Sequence, residues 1–163
     1  MVDIVEQRVR AKFPAAVQEV VEYAGETTLV VGPGRHKDLM RHLKDSEGFD
    51  FLADVSCAHW PEMGRIDVVY QVRNMSTRIQ FRVRVPLPEE DPEVETVSDI
   101  WRTANWLERE VYDLMGVRFL GHPDLKRIML PEDFEGHPLR KEYPMQGDDG
   151  WRNYLPPEEE ETD

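Results

Sequence analysis

Residues 78–85 alternate without exception: Arg78, Gln80, Arg82 and Arg84 fall on one side of an extended chain, and Ile79, Phe81, Val83 and Val85 on the other. Residues 66–73 repeat the pattern, with Ile66, Val68, Tyr70 and Val72 set against Asp67, Gln71 and Arg73; Val69 is the one exception. Successive side chains of a strand point to opposite faces, so strict period two marks a half-buried strand. Asn74 to Thr77 supply the turn between the two runs. Two adjacent strands with one apolar and one charged face require a sheet that is covered on one side only.

The remaining elements supply the cover. Residues 3–13 place Ile4, Val5, Val9 and Phe13 at helical spacing, and Pro14 ends the pattern. Residues 16–23 and 27–32 read as two strands around Gly25-Glu26, a short hairpin signal. Residues 36–44 put Leu39, Met40 and Leu43 on one helical face, and Phe49 to Cys57 reads as a third strand. The order α-β-β-α-β-β-β, with strands in hairpins, predicts an α+β fold. Its small mixed or antiparallel sheet has about five strands with helices on one face, followed by a helix and an extended C-terminal strap. Pro86 to Glu95 reads as a Pro-rich acidic loop, and Ser98-Asp99 as a cap for the helix after it.

Three segments follow from this reading: an α+β domain over 1–116, a proline-rich strap over 117–145 and an acidic flexible tail over 146–163. From Gln146 onward there are seven acids and the single base Arg152, so nearly half of the chain's net charge of −13 lies there. Such a run cannot bury a core and is expected to be disordered alone. An acidic chain lacks the basic footprint that nucleic acid or anionic lipid requires. No apolar run approaches the roughly 18–20 residues of a membrane span. The N-terminus has no signal-peptide apolar core. One cysteine, Cys57, forbids an internal disulfide, in keeping with a reducing cytoplasm.

On a helical wheel through 105–116, Trp106, Leu107, Val111, Leu114 and Met115 form one broad apolar face, and Glu110 falls inside it. A carboxylate there must be paired, hydrogen-bonded or protonated. The favoured reading is a buried ion pair with Arg118, Arg127 or Arg140, or with a base from a partner; the other is a proton carrier. Arg109 and Asp113 lie outside the apolar face, four apart, where they can pair with each other. Gly116 stands where a helix stop belongs.

Cys57-Ala-His59, with His122 and His137, offers ligand types for a metal, but neither CxxC nor HExxH is present, so the expectation is no metal ligand. Gly32-Pro-Gly34 lacks the continuation of a nucleotide loop. The Arg face of 78–84 reads as a solvated face or as one that meets an acidic partner, ahead of a small-anion site. Residues 124–143 read as short turns pinned by Pro123, Pro131, Pro138 and Pro144, with Leu, Met, Phe and Tyr between charges, the composition of an interface strap. Within it Gly121-His122-Pro123 is echoed by Gly136-His137-Pro138.

Glu108-Arg-Glu-Val-Tyr-Asp-Leu-Met-Gly-Val117 and the run Gly121-His-Pro-Asp-Leu-Lys-Arg-Ile-Met-Leu-Pro-Glu-Asp-Phe-Glu-Gly-His-Pro-Leu-Arg-Lys-Glu-Tyr-Pro144 resemble the signature of the C-subunit family of respiratory complex I, the proton-pumping NADH:quinone oxidoreductase. The looser matches are Phe51-Leu-Ala-Asp-Val-Ser and Phe81-Arg-Val-Arg-Val-Pro. The resemblance implies a non-catalytic subunit of the hydrophilic arm that packs against the large quinone-site partner, the D subunit. It implies no cofactor, metal or catalytic residue in this chain, with FMN and iron–sulfur clusters in other subunits. It also implies a peripheral place on the cytoplasmic side of the cell (inner) membrane. Glu108, Arg109, Glu110, Asp113, Lys126, Arg127, Arg140 and Lys141 are then expected to hold strap and partner in register. The equivalent subunits of membrane-bound [NiFe]-hydrogenases and of deazaflavin-dependent dehydrogenases share the fold and much of this signature. A freestanding enzyme using Glu110 or a Cys57/His59 metal is the reading of a different class.

Overall fold

A computed structural model describes residues 2–144. The expected acidic tail, 146–163, and Met145 at the end of the strap lie outside the described residues. Helix α1 (Val2–Lys12) leads into the hairpin β1 (Val17–Tyr23) and β2 (Glu26–Val31). Helix α2 (His36–Asp45) is followed by β3 (Phe51–Trp60), β4 (Arg65–Arg73) and β5 (Gln80–Pro88). A short strand β6 (Glu93–Glu95), helix α3 (Ala104–Met115) and a short strand β7 (Arg118–Leu120) complete the order.

The five longer strands form one mixed sheet in the order β1-β2-β5-β4-β3. Ala24 and Gly25, both at positive φ, form the two-residue β1–β2 turn, whose backbone matches the twist of the flanking strands. β2 lies parallel to β5, with Leu29 opposite Val83, while β5–β4 and β4–β3 are antiparallel. The α+β expectation with helices over one apolar face holds. In β5, Phe81, Val83, Val85 and Leu87 are buried and alternate with half-exposed Arg82, Arg84 and Pro86. Cross-strand register aligns them with Val72, Tyr70, Val68 and Ile66 of β4. Val5 and Val9 of α1, Leu39, Met40 and Leu43 of α2, and Val111 and Met115 of α3 join the same apolar cluster. Full burial of each such side chain contributes about 1.5–3 kcal/mol.

Two expectations are corrected. The segment read as a loop at 86–95 contains β6, which pairs in parallel with β7 as a separate two-stranded sheet. Three-residue strands carry too short a pattern to be seen by alternation. Ser98-Asp99 does not cap α3: Thr103 stands at the cap position without a side-chain bond. Asp99 instead pairs with Lys37 at 3.3 Å and Arg41 at 2.6 Å, both from α2. Among the described residues no helix is long and apolar enough to cross a membrane.

Candidate functional site

The last carbonyls of an α-helix have no partner within the helix and must find donors elsewhere. In α3, Gly116, in the left-handed region at φ 75°, donates its N–H to the Tyr112 carbonyl at 2.9 Å. The next three carbonyls are met by the strap. The Asp113 carbonyl accepts from Arg127 Nη1 at 3.2 Å and from His137 Nδ1 at 2.9 Å. The Leu114 carbonyl accepts the Leu139 N–H at 3.1 Å, and the Met115 carbonyl accepts Arg140 Nε at 2.8 Å. Two guanidinium groups therefore sit at the negative end of the helix dipole. Burial keeps the His137 imidazole below its ordinary pKa, so it donates from Nδ1 as a neutral ring.

Asp113 anchors the same arrangement from its side chain. Oδ2 accepts the backbone N–H groups of Ile128, Met129 and Leu130 at 2.9, 2.7 and 3.0 Å. Oδ1 accepts Arg127 Nη1 at 2.8 Å, and Arg127 Nη2 continues to the Gly136 carbonyl at 3.0 Å. Burial alone would raise the Asp113 carboxyl; the N–H groups of Met129 and Leu130, the Arg127 guanidinium and the Ile128 N–H outweigh it and hold it below the usual range. The expected Arg109–Asp113 pair does not form, because Asp113 is occupied by the strap. Arg109 donates Nε to the Lys126 carbonyl at 3.1 Å and lies over the Trp106 ring, 4.9 Å from its centroid.

The strap's backbone is tied inward to α3 or the sheet, while several of its side chains face out. Met129 and Leu139 have pinned N–H groups but side chains 63% and 58% exposed. Lys126 is held by its carbonyl, and Lys141 by its N–H to His59 Nδ1 at 3.0 Å; both lysines are exposed. Trp106 adds a 63% exposed indole on the helix itself.

Glu110 is corrected. It is exposed, and besides Asp113 the buried acid of the helix is Glu108, with no accessible surface. The wheel counts Trp106 as core, which centres the apolar face on the wrong side. Trp106 is instead a surface residue stacked with Arg109, and the face that packs inward runs through Ala104, Glu108, Val111 and Met115. Glu108 Oε1 accepts the Val97 N–H at 2.8 Å, and Oε2 accepts the Thr96 hydroxyl. His122 Nε2 lies 3.9 Å from Oε2 and donates to the Asn105 carbonyl at 3.1 Å, since its Nδ1 accepts the Asp124 N–H. The repeated Gly-His-Pro thus places one histidine on a carbonyl at each end of α3. The echo is the sequence signal that pairs these two residues. Thr96 gives none.

Burial pushes the Glu108 carboxyl up to about 7, against the Thr96 and Val97 hydrogen bonds. The folded chain then holds this proton more tightly than the unfolded chain, whose carboxyl ionises near ~4.3. Its contribution is most favourable below that value, declines as pH rises toward 7, and is level above. At about 1.4 kcal/mol per pKa unit the decline is about 4 kcal/mol. Glu108→Gln retains an acceptor for Val97 and should abolish this slope. Urea denaturation of both chains between pH 4.5 and 7.5 checks it; parallel stability curves would refute the assignment.

Gly116 makes a second local test. A Cβ there would lie 2.5 Å from the His137 ring and 3.0 Å from Arg140 Nη2, at a φ that disfavours side chains. Gly116→Ala should cost about 1–3 kcal/mol in thermal denaturation and expose the strap to protease. An unchanged melt would mean that the strap does not pack here.

His59, Glu89 and Glu142 gather their ligand-type atoms within 4.8 Å. His59 Nδ1 accepts the Lys141 N–H, which leaves the proton on Nε2, 2.9 Å from Glu89. The set therefore serves as a second fastening of the strap, onto β3. The Cys57/His59 combination is not what meets: burial, reinforced by Asp67, raises the Cys57 thiol well above its ordinary pKa, away from the thiolate a metal needs.

Comparison with known proteins gives a consistent result. The model of the family described as respiratory-chain NADH dehydrogenase, 30 Kd subunit, matches residues 29–149. The chain is 42% identical over 144 residues to the C subunit of NADH-quinone oxidoreductase from Geobacter sulfurreducens, covering 87% of this chain and 89% of that one. With the protein of the same name from Moorella thermoacetica it shares 44% over 144 residues, covering 88% and 96%. A solved structure described as Nqo5 of a trypsin-resistant fragment aligns with a TM-score of 0.66 at 39% identity, covering 77% of this chain and 100% of that one. A chain of the membrane-bound sulfane sulfur reductase, an archaeal respiratory membrane complex, aligns with a TM-score of 0.78 at 24% identity, covering 99% and 95%, a likeness of fold.

Proposed function

Because the chain belongs to the family of the 30 kDa subunit of respiratory-chain NADH dehydrogenase, and is a C subunit of NADH-quinone oxidoreductase, we propose that it is a non-catalytic structural component that packs against the large quinone-site partner, the D subunit. On this reading the complex passes electrons from NADH through FMN and iron–sulfur clusters, all held by other subunits, to quinone. The chain sits in the hydrophilic arm on the cytoplasmic side of the inner membrane and is peripheral through its partners.

One observation carries the reading: the strap binds α3 and β3 with backbone groups and presents Met129, Leu139, Lys126 and Lys141 outward. An isolated protein gains little by exposing apolar side chains on an immobilised backbone. A docking surface gains, because ordering the segment beforehand removes that entropy from the cost of binding. Exposed Met and Trp anchors with charged neighbours fit the core and rim of an interface. Arg109, Asp113, Arg127 and Arg140 then act as internal fasteners, and Lys126 and Lys141 as rim charges.

The exposed lysines allow a direct test. Solubilised membranes are cross-linked with an amine-reactive reagent, purified through a tag on this chain and mapped by mass spectrometry. Lys126 and Lys141 should cross-link to the quinone-site large subunit. Recovery of the chain alone, or strap cross-links only to other proteins, would overturn the reading.

A further inference from the structure

The sheet face turned away from the helices carries a groove of about 330 Å³, lined by Gly25, Gln71, Arg73, Arg78, Gln80 and Arg82 among others. Topology assembles it. Parallel β2 and β5 begin at the same end of the sheet, and antiparallel β4 finishes there at Arg73, so the β1–β2 and β4–β5 turns lie together. Register places Gln71 opposite Arg82 and Arg73 opposite Gln80, which puts all four side chains on the uncovered face. Arg78 comes from the turn, where it is held at φ 60°, a conformation that a long side chain adopts only at a cost.

The charges in this groove are unevenly satisfied. Arg82 pairs with Glu26, and Arg84 next to it is shared between Glu19 at 3.9 Å and Asp67 at 3.8 Å. Arg73 and Arg78 have no carboxylate within ion-pair distance among the described residues, in a chain whose net charge is −13. Two guanidiniums that line one groove and stay unpaired among the described residues despite that excess of acid make a recognition surface for carboxylates, which they bind in bidentate fashion. Gln71 and Gln80 each offer donors and an acceptor, which suits a peptide main chain. The groove opens to solvent, so a small anion would remain largely hydrated there, whereas an extended segment can lie along it.

We propose that this groove docks an acidic, extended segment of a partner chain: Arg73 and Arg78 grip neighbouring carboxylates, and Gln71 and Gln80 bond to the segment's backbone. The site is on the opposite face of the sheet from the strap, so it is a second and separate contact. It rests on the reading above only in that the chain works inside a complex.

The test uses the intact complex with a photo-cross-linking residue at Gln80. The expected product joins this chain to a segment of another subunit that carries at least two Asp or Glu residues. Its yield should fall at least about ten-fold in R73E/R78E, with less loss in R73K/R78K. R78E alone, which alters only the turn, serves if the double reversal does not fold. Co-purification of the unaltered chain with the large subunit reports separately on the strap. Cross-links confined to this chain or to lipid, no cross-link at all, or a yield indifferent to charge reversal would each overturn the groove assignment.

Discussion

Replacing Asp113 by alanine is expected to lower the stability of the chain by about 3–5 kcal/mol. The substitution removes a buried carboxylate that accepts three backbone N–H groups and the Arg127 guanidinium. Each donor left without a partner costs about 1–3 kcal/mol, and the charged one more. Asp113→Asn keeps one oxygen for the N–H groups but turns an amide toward Arg127, so an intermediate loss is expected. Hydrogen exchange distinguishes this from a general weakening: protection of the Ile128, Met129 and Leu130 amides should disappear first. Acid should act in the same direction. The folded carboxyl sits below its unfolded pKa, so its stabilisation is complete above ~4 and is lost as pH falls through the folded value. An alanine variant with unchanged stability and unchanged protection at these amides would contradict the description of the strap.

The second large effect is on assembly and leaves folding alone. Met129 and Leu139 present exposed side chains from pinned backbones. Met129→Asp combined with Leu139→Asp should alter the stability of the isolated chain by no more than about 0.5 kcal/mol per site, the usual range for exposed positions. In the complex the same changes would bury two unpaired carboxylates at several kcal/mol each, enough to reduce incorporation at least about a hundred-fold. Asp113→Ala would lose both properties together. This separation between a fastener and an anchor is what the inward backbone and outward side chains predict.

How far the sequence reveals this arrangement depends on the range of each interaction. The two alternating runs are β4 and β5, and the helical spacings of 36–44 and 105–116 are α2 and α3. These patterns are local and are written by burial along a single element. Glu108 escapes because the wheel turns a tryptophan inward, and the cation–π stack of Trp106 with Arg109 is a surface option that periodicity does not register. From helical spacing, Asp113 is legible as a partner for a residue four positions away. Its actual donors lie 14–17 residues downstream in a segment with no periodicity. The strap is recognisable from its prolines and exposed anchors, but its path around the helix end follows from unpaired carbonyls, which all helices share and which no side-chain pattern announces. His59 reads as a possible metal ligand beside Cys57; its role as an acceptor for Lys141 depends on residues 82 positions apart meeting in space.

The central claim is that the strap is a pre-ordered docking surface and that the chain contributes assembly, with the chemistry in its neighbours. The most direct measurement is a native gel of solubilised membranes carrying M129D/L139D, read for this chain at high mass, together with the NADH-to-quinone rate. The expected result is a folded chain absent from the high-mass complex and a quinone-reduction rate close to zero, while NADH oxidation by an artificial acceptor persists. Full incorporation of that variant with an undiminished rate would contradict it.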